Sequence, residues 1–136
     1  MVELRPGQSA SRSLHVDEKH IERYAELTGD RNPIHVSESY ALRTRFKRRI
    51  AHGGITTGLI SALIAEELPG PGSVFLHADW SFQNPVYIGD TITAKAEVLS
   101  VRQDKPVAVL RTSVFNQDEI MVLDGQVVIF LMAPDG

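Results

Sequence analysis

Hydrophobic and polar positions change their period once along this chain, at Pro69-Gly70-Pro71-Gly72. Before that break the apolar residues recur at helical spacing. Asp17 reads as an N-cap, Ile21, Tyr24, Ala25 and Thr28 share one face, and Gly29 stands where a C-cap belongs. A second short helix is expected to begin near Ser37, a capping residue, and to run to about Thr44. From Gly53 to Leu68 the pattern is more apolar. Ile55, Leu59, Ile60, Ala62, Leu63, Ile64 and Ala65 wrap more than half of a helix whose only charges are Glu66 and Glu67 at its end. Such a helix is normally buried in the middle of a domain. Ser9 to Val16 alternates more weakly and is read as a first strand.

Beyond the break the period shortens. Ser73 to Phe82, Thr91 to Gln103, Val107 to Asn116 and Ile120 to Met132 are rich in Val, Ile, Thr and Phe. Turn residues separate them: Asn84-Pro85, Gly89-Asp90, Asp104-Lys105-Pro106 and Asn116-Gln117-Asp118. Short connections between long strands favour antiparallel neighbours. The expected class is α+β, with one long central helix and an antiparallel sheet wrapped around it. With no internal repeat, low-complexity stretch or linker, residues 1–136 are expected to form a single domain.

Composition narrows the function by exclusion. A hydrophobic fraction of 43% and a charged fraction of 23% are ordinary for a globular protein. A formal net charge of −3 gives no footprint for nucleic-acid binding. Without cysteine there is no disulfide framework, thiolate nucleophile or Cys-based zinc site. No apolar run is long enough to cross a bilayer, and Met1 to Ser13 lacks the apolar stretch of a signal peptide, so a cytoplasmic setting is expected.

The candidate chemistry begins at Asp30-Arg31-Asn32-Pro33-Ile34-His35. Asp30 and His35 put a carboxylate and an imidazole on one short turn, a pair suited to moving protons. Asn32, preceding proline, is biased toward extended backbone and shapes the turn. The same residues also fit an Asx turn at a helix end with a satisfied histidine nearby. Gly53-Gly54 opens the apolar helix, where free N–H groups suit an oxyanion and glycine allows close approach of a carbonyl. Tight packing of a buried helix against the sheet is the other explanation. Ser61 has no Gly-x-Ser-x-Gly context, so it fits positioning a water or polar substrate group, or bonding back to a helix carbonyl, better than covalent catalysis. Arg43, Arg45, Lys47, Arg48 and Arg49 are either a phosphate grip or a solvated basic face. His15, His20, His52 and His77 show no metal-ligand spacing, and no metal or other cofactor is expected. His77, Asp79 and Trp80 sit on a predicted strand, where packing accounts for them.

Taken as one ordered stretch, Tyr24-Ala25-Glu26-Leu27-Thr28-Gly29-Asp30-Arg31-Asn32-Pro33-Ile34-His35, with Ala41 following, resembles the signature of the (R)-specific enoyl-CoA hydratases, MaoC-like dehydratases of the hot-dog fold. The similarity extends through Ile50-Ala51-His52-Gly53, Ser61, the Pro69-Gly70 break, Phe82-Gln83-Asn84-Pro85-Val86 and Gly89-Asp90, nearly the whole chain. The resemblance implies a single hot dog that reversibly hydrates a trans-2-enoyl thioester to an (R)-3-hydroxyacyl product. It implies Asp30 and His35 as the catalytic pair, the Gly53 amide as oxyanion donor, Ser61 in the pocket, and a homodimer with its acyl tunnel near the interface. The substrate would be an acyl-CoA or acyl-carrier-protein thioester. Arg45 and Arg48 are then the expected phosphate contacts, and Ile64, three residues after Ser61, is expected to share a wall of the tunnel. Two rivals are an acyl-CoA thioesterase of the same fold and a non-catalytic acyl-CoA-binding subunit; the intact Asp30/His35 pair argues against the second.

Overall fold

The computed structural model describes residues 3–133, so Met1, Val2 and Pro134 to Gly136 at the ends of the expected domain lie outside it. In chain order the elements are β1 (Ser9–His15), α1 (Glu18–Thr28), α2 (Pro33–Val36), α3 (Glu38–Leu42), α4 (Gly53–Glu66), β2 (Ser73–Phe82), β3 (Thr91–Val101), β4 (Val107–Phe115) and β5 (Met121–Leu131). The local reasons are those of the sequence. Asp17 caps α1 through a capping box with His20, and the His20 backbone N–H holds the Asp17 carboxyl below the usual carboxylate range. Gly29 ends α1 in the left-handed conformation, φ 81°, with its N–H on the Ala25 carbonyl. Ser37 caps α3 through the Tyr40 N–H. Thr28, expected on the apolar face of α1, is instead exposed, its hydroxyl donating to the Tyr24 carbonyl at 2.8 Å.

The strands form one antiparallel sheet in the order β1-β3-β4-β5-β2. Alternation sends Ile92, Ala94, Ala96 and Val98 of β3, and Ala108, Leu110, Thr112 and Val114 of β4, to the same buried face. Helix α4 lies against that face. Its Ile60, Leu63 and Ile64 are each at most 1% exposed, and each such side chain removes apolar surface worth roughly 1.5–3 kcal/mol from water. This is the α+β hot-dog arrangement, a sheet wrapped around a long helix. One side of α4, carrying Gly58, Ser61 and Ala65, remains exposed in the single chain, so the helix is not sealed all round. Of His77, Asp79 and Trp80, packing accounts only for Trp80, whose Nε1–H donates to the buried Thr112 hydroxyl at 2.9 Å. His77 and Asp79 are exposed because β2 is an edge strand and their side chains face away from α4. No helix among the described residues is long and apolar enough to cross a membrane.

Candidate active site

Between the end of α1 and the start of α4, side chains pair chiefly with backbone. The Asp30 N–H donates to Thr28 Oγ1 at 3.1 Å, and Asp30 Oδ1 accepts the Asn32 N–H at 3.2 Å, an Asx turn. Asn32 then caps α2 with its own Oδ1 on the Ile34 N–H, and Pro33 occupies the first helical position, where a missing N–H costs nothing. This four-residue helix was not foreseen; the Asn-Pro pair was its signal. It turns His35 inward, leaving it 9% exposed.

Residues 49–52 run alongside as a strap. The Ile50 N–H donates to the Ile34 carbonyl at 3.2 Å, and the Ala51 N–H to Val86 at 2.7 Å. The Ile50 carbonyl lies 2.7 Å from His35 Nδ1. A carbonyl only accepts, so Nδ1 carries the hydrogen and Nε2 presents a lone pair. His52 Nε2 lies 2.9 Å from the Asp30 carbonyl and, by the same logic, donates to it. The His35 and His52 rings stack with centroids 4.1 Å apart and planes at 29°.

Asp30, His35 and His52 each offer a ligand-type atom within 4.8 Å of the others. Each imidazole already commits one nitrogen to a carbonyl, which leaves each with one nitrogen. The chemistry that suits this set is proton transfer at one free imidazole nitrogen beside a carboxylate.

Helix α4 begins here without a side-chain cap, and neither the Gly53 nor the Gly54 N–H has an acceptor among the described residues. These are unpaired donors at the positive end of a 14-residue helix. The two glycines serve different contacts. A Cβ on Gly54 would fall 1.6 Å from the Tyr24 hydroxyl, so Gly54 admits α1 rather than the sheet. A Cβ on Gly53 would meet only the Phe82 ring edge at 3.1 Å. A cavity of about 300 Å³ opens beside these groups, with His35, Gly53, Thr56, Phe82, Val86 and Arg45 among its lining residues.

The basic run divides. Arg49, whose side chain is 11% exposed, bonds Glu18 of α1, Glu38 of α3 at 2.8 Å and the His35 carbonyl at 3.2 Å. Its hydrogen bond to the Glu18 carboxylate, joined by that to Glu38, holds its guanidinium above the usual arginine range. Arg49 is therefore not part of a free phosphate grip, contrary to a uniform reading of the run. Arg45 lines the cavity, and Arg48 stacks on Tyr87 at 4.0 Å, lining a neighbouring depression. Ser61 lies on the exposed side of α4 and Ile64 in the core at 1% exposure; neither lines the cavity of the single chain. His52, set aside in the sequence as lacking ligand spacing, and Thr56 are the site residues that sequence reasoning missed. The adjacency of His52 to Gly53 was the available signal.

The MaoC-like domain family model matches residues 3–117. The chain is 38% identical over 128 residues to an (R)-specific enoyl-CoA hydratase of Aeromonas caviae, covering 94% of this chain and 96% of that protein. It is 47% identical over 106 residues to a 3-hydroxybutyryl-CoA dehydratase of Methylorubrum extorquens, covering 78% and 67%. Among solved structures, the unliganded R-hydratase PhaJ1 of Pseudomonas aeruginosa superposes with a TM-score of 0.90 at 41% identity, covering 96% of this chain and 83% of that one.

Proposed function

Starting from the chain's membership of the MaoC-like domain family, we propose that it is an (R)-specific enoyl-CoA hydratase, with Asp30 and His35 as the acid–base pair and the Gly53 amide as the oxyanion donor. The observation that carries this reading is His35. Its Nδ1–H is committed to the Ile50 carbonyl, and its free Nε2 belongs to a side chain in the same cavity wall as the unpaired Gly53 N–H. An enoyl thioester whose carbonyl oxygen accepts from Gly53 has its C3 made electrophilic, and enolate charge develops on that oxygen as water adds. A preorganised donor of this kind in a water-poor site contributes about 3–4 kcal/mol. The pair holds one water. As its oxygen bonds to C3, one proton passes to the pair and one is delivered to C2, for net addition of H and OH. The two groups act as one coupled unit. Asn32 shapes their turn.

Arg45 and Arg48 are the proposed contacts for the phosphates of a CoA or carrier-protein substrate. The exposed side of α4 and the edge strand β2 support a homodimer. β2 has only β5 as a neighbour and carries exposed Val74, Leu76 and Phe82, at 42%, 58% and 58%. Ser61 would then face the acyl chain near that interface, with Ile64 behind it.

The test is hydration of crotonyl-CoA, followed as loss of the conjugated-thioester absorbance. Asp30→Asn and His35→Gln are expected to lower kcat at least about a hundredfold while leaving the fold intact. Near wild-type turnover in either would remove that residue from the pair. Release of free thiol in place of hydration would favour the hydrolase. Light scattering of active enzyme is expected to give about twice the 15.0 kDa chain mass.

A further inference from the structure

His52 is buried at 1% exposure, and the proton-transfer chemistry proposed above gives it no step. Its surroundings are nonetheless exacting. Nε2–H is bound to the backbone carbonyl of Asp30 at 2.9 Å, one ring face stacks on His35 at 4.1 Å, and the Tyr24 ring lies 4.7 Å away, tilted by 44°. Its other nitrogen, Nδ1, is buried with no hydrogen-bond partner among the described residues. A buried polar atom left unpaired is a net cost to folding, so on stability alone a side chain that donates to the Asp30 carbonyl and carries no second polar atom would serve better here. Positions where residue choice runs against stability are where function is expected to be the cause.

We infer that His52 is the positioning residue of the acid–base pair, fixing the Asp30 backbone through its N–H and the plane of the His35 ring through its face. The inference rests on the reading of Asp30 and His35 as that pair. The two contacts can be removed one at a time: glutamine can donate but cannot stack, and phenylalanine can stack but cannot donate. The two contacts reach the two partners separately, Asp30 from behind its turn and His35 across its ring. His52 therefore sets their mutual geometry from one point. It follows Ile50, whose carbonyl fixes the His35 tautomer, so both constraints issue from the same strap.

The experiment is steady-state hydration of crotonyl-CoA by the full chain and five variants: Asp30→Asn, His52→Leu, His52→Gln, His52→Phe and Asp30→Asn/His52→Leu. Thermal unfolding is measured on each. His52→Leu is expected to lower kcat about 30-fold with KM within about threefold, the mark of misplaced groups rather than lost binding. Gln and Phe, each restoring one contact, are each expected to recover at least about fivefold over Leu. Thermal midpoints of Leu and Phe are expected to stay close to wild type, because removal of the unpaired Nδ1 offsets loss of the bond to the Asp30 carbonyl; a purely structural residue would lose midpoint and activity together. In the double variant the His52 change is expected to add little to the loss from Asp30→Asn, since His52 acts by aligning a coupled pair that Asp30→Asn already disables. Wild-type kcat in His52→Leu, an effect confined to KM, or losses that multiply in the double variant would each overturn the positioning role while leaving the acid–base reading in place. Wild-type activity in Asp30→Asn would overturn that reading and this inference with it.

Discussion

The sheet with α4 and the segment from Gly29 to Gly53 are held together by different physics. In the sheet and helix, side chain meets side chain: Ile60, Leu63, Leu110, Leu123, Val127 and Ile129 pack with no more than 1% exposure, and the ladders supply the polar bonds. In the segment, side chain meets backbone: Asp30 on Asn32 N–H, Asn32 on Ile34 N–H, His35 on the Ile50 carbonyl, His52 on the Asp30 carbonyl, and Arg49 on the His35 carbonyl. Packing is non-directional and tolerates exchange of equal volumes. Hydrogen bonds to backbone fix orientation, and each is lost with one substitution. The body therefore determines whether the chain folds, and the segment where Asp30 and His35 point.

The sharpest way to break that separation is at the point where the two regions touch. Gly54 belongs to α4, yet Tyr24 of α1, the helix that leads into the segment, fills the space its Cβ would need. Gly54→Ala is expected to cost stability by about 1–3 kcal/mol, as overpacking does, and to lower kcat as well, because the Tyr24 ring packs at a tilt against His52. Gly53→Ala is the control one residue away. Its Cβ meets only the ring edge of a Phe82 that is 58% exposed and can yield, and the Gly53 N–H remains. Denaturant midpoints that fall equally for the two would show that crowding by Tyr24 is not the reason for Gly54.

A change within the body alone should move stability and spare turnover. Thr112→Val keeps the shape of a fully buried residue but removes the acceptor for Trp80 Nε1–H. The expected loss is about 1–2 kcal/mol in equilibrium unfolding, with kcat per folded molecule unchanged. A change within the segment alone should do the reverse. Arg49→Met releases α1, α3 and the His35 carbonyl together, and is expected to lower kcat about tenfold, or about 1.4 kcal/mol, with KM held. Arg49→Lys should recover only part, since an ammonium cannot make the forked contacts of a guanidinium. A fall in KM-dependent binding with constant kcat would instead assign Arg49 to the substrate.

The same contrast decides what was legible in the sequence. β2 is bounded as its apolar run predicted, and β3, where a buried face writes period two into the chain, starts at Thr91 as expected but stops two residues short of Gln103, at Val101. The caps Asp17, Gly29 and Ser37 were legible because each satisfies a backbone group within its own turn. Helix α2 was not, since four residues are too few to show a period and only Asn32-Pro33 announced it. The roles of Arg49 and His52 were invisible for a deeper reason: their partners lie 11 to 31 residues away in sequence, at Glu38, His35, Asp30 and Glu18. A run of five basic residues reads as one feature, and only tertiary contacts divide it.

That division yields the smallest effect expected and the finest test. If the basic run acted as a unit, neutralising any member would weaken substrate binding alike. The structure instead ties Arg49 down and leaves Arg45 on the cavity wall and Arg48 over the Tyr87 ring, 4.0 Å from its centroid. Exposed charges attract phosphates weakly and are screened by salt within about 10 Å at 0.1 M. Arg45→Gln with Arg48→Gln is therefore expected to raise KM a few-fold at low ionic strength, by less at high salt, and to leave kcat alone, the pattern of binding lost equally from ground and transition states. Arg49→Met should give the opposite pattern, a lower kcat with KM indifferent to salt. Identical salt dependence in the two sets would restore the uniform run and undo the distinction between the region that grips and the segment that aims. An unchanged KM at low salt in the double variant would leave Arg45 and Arg48 as a solvated face.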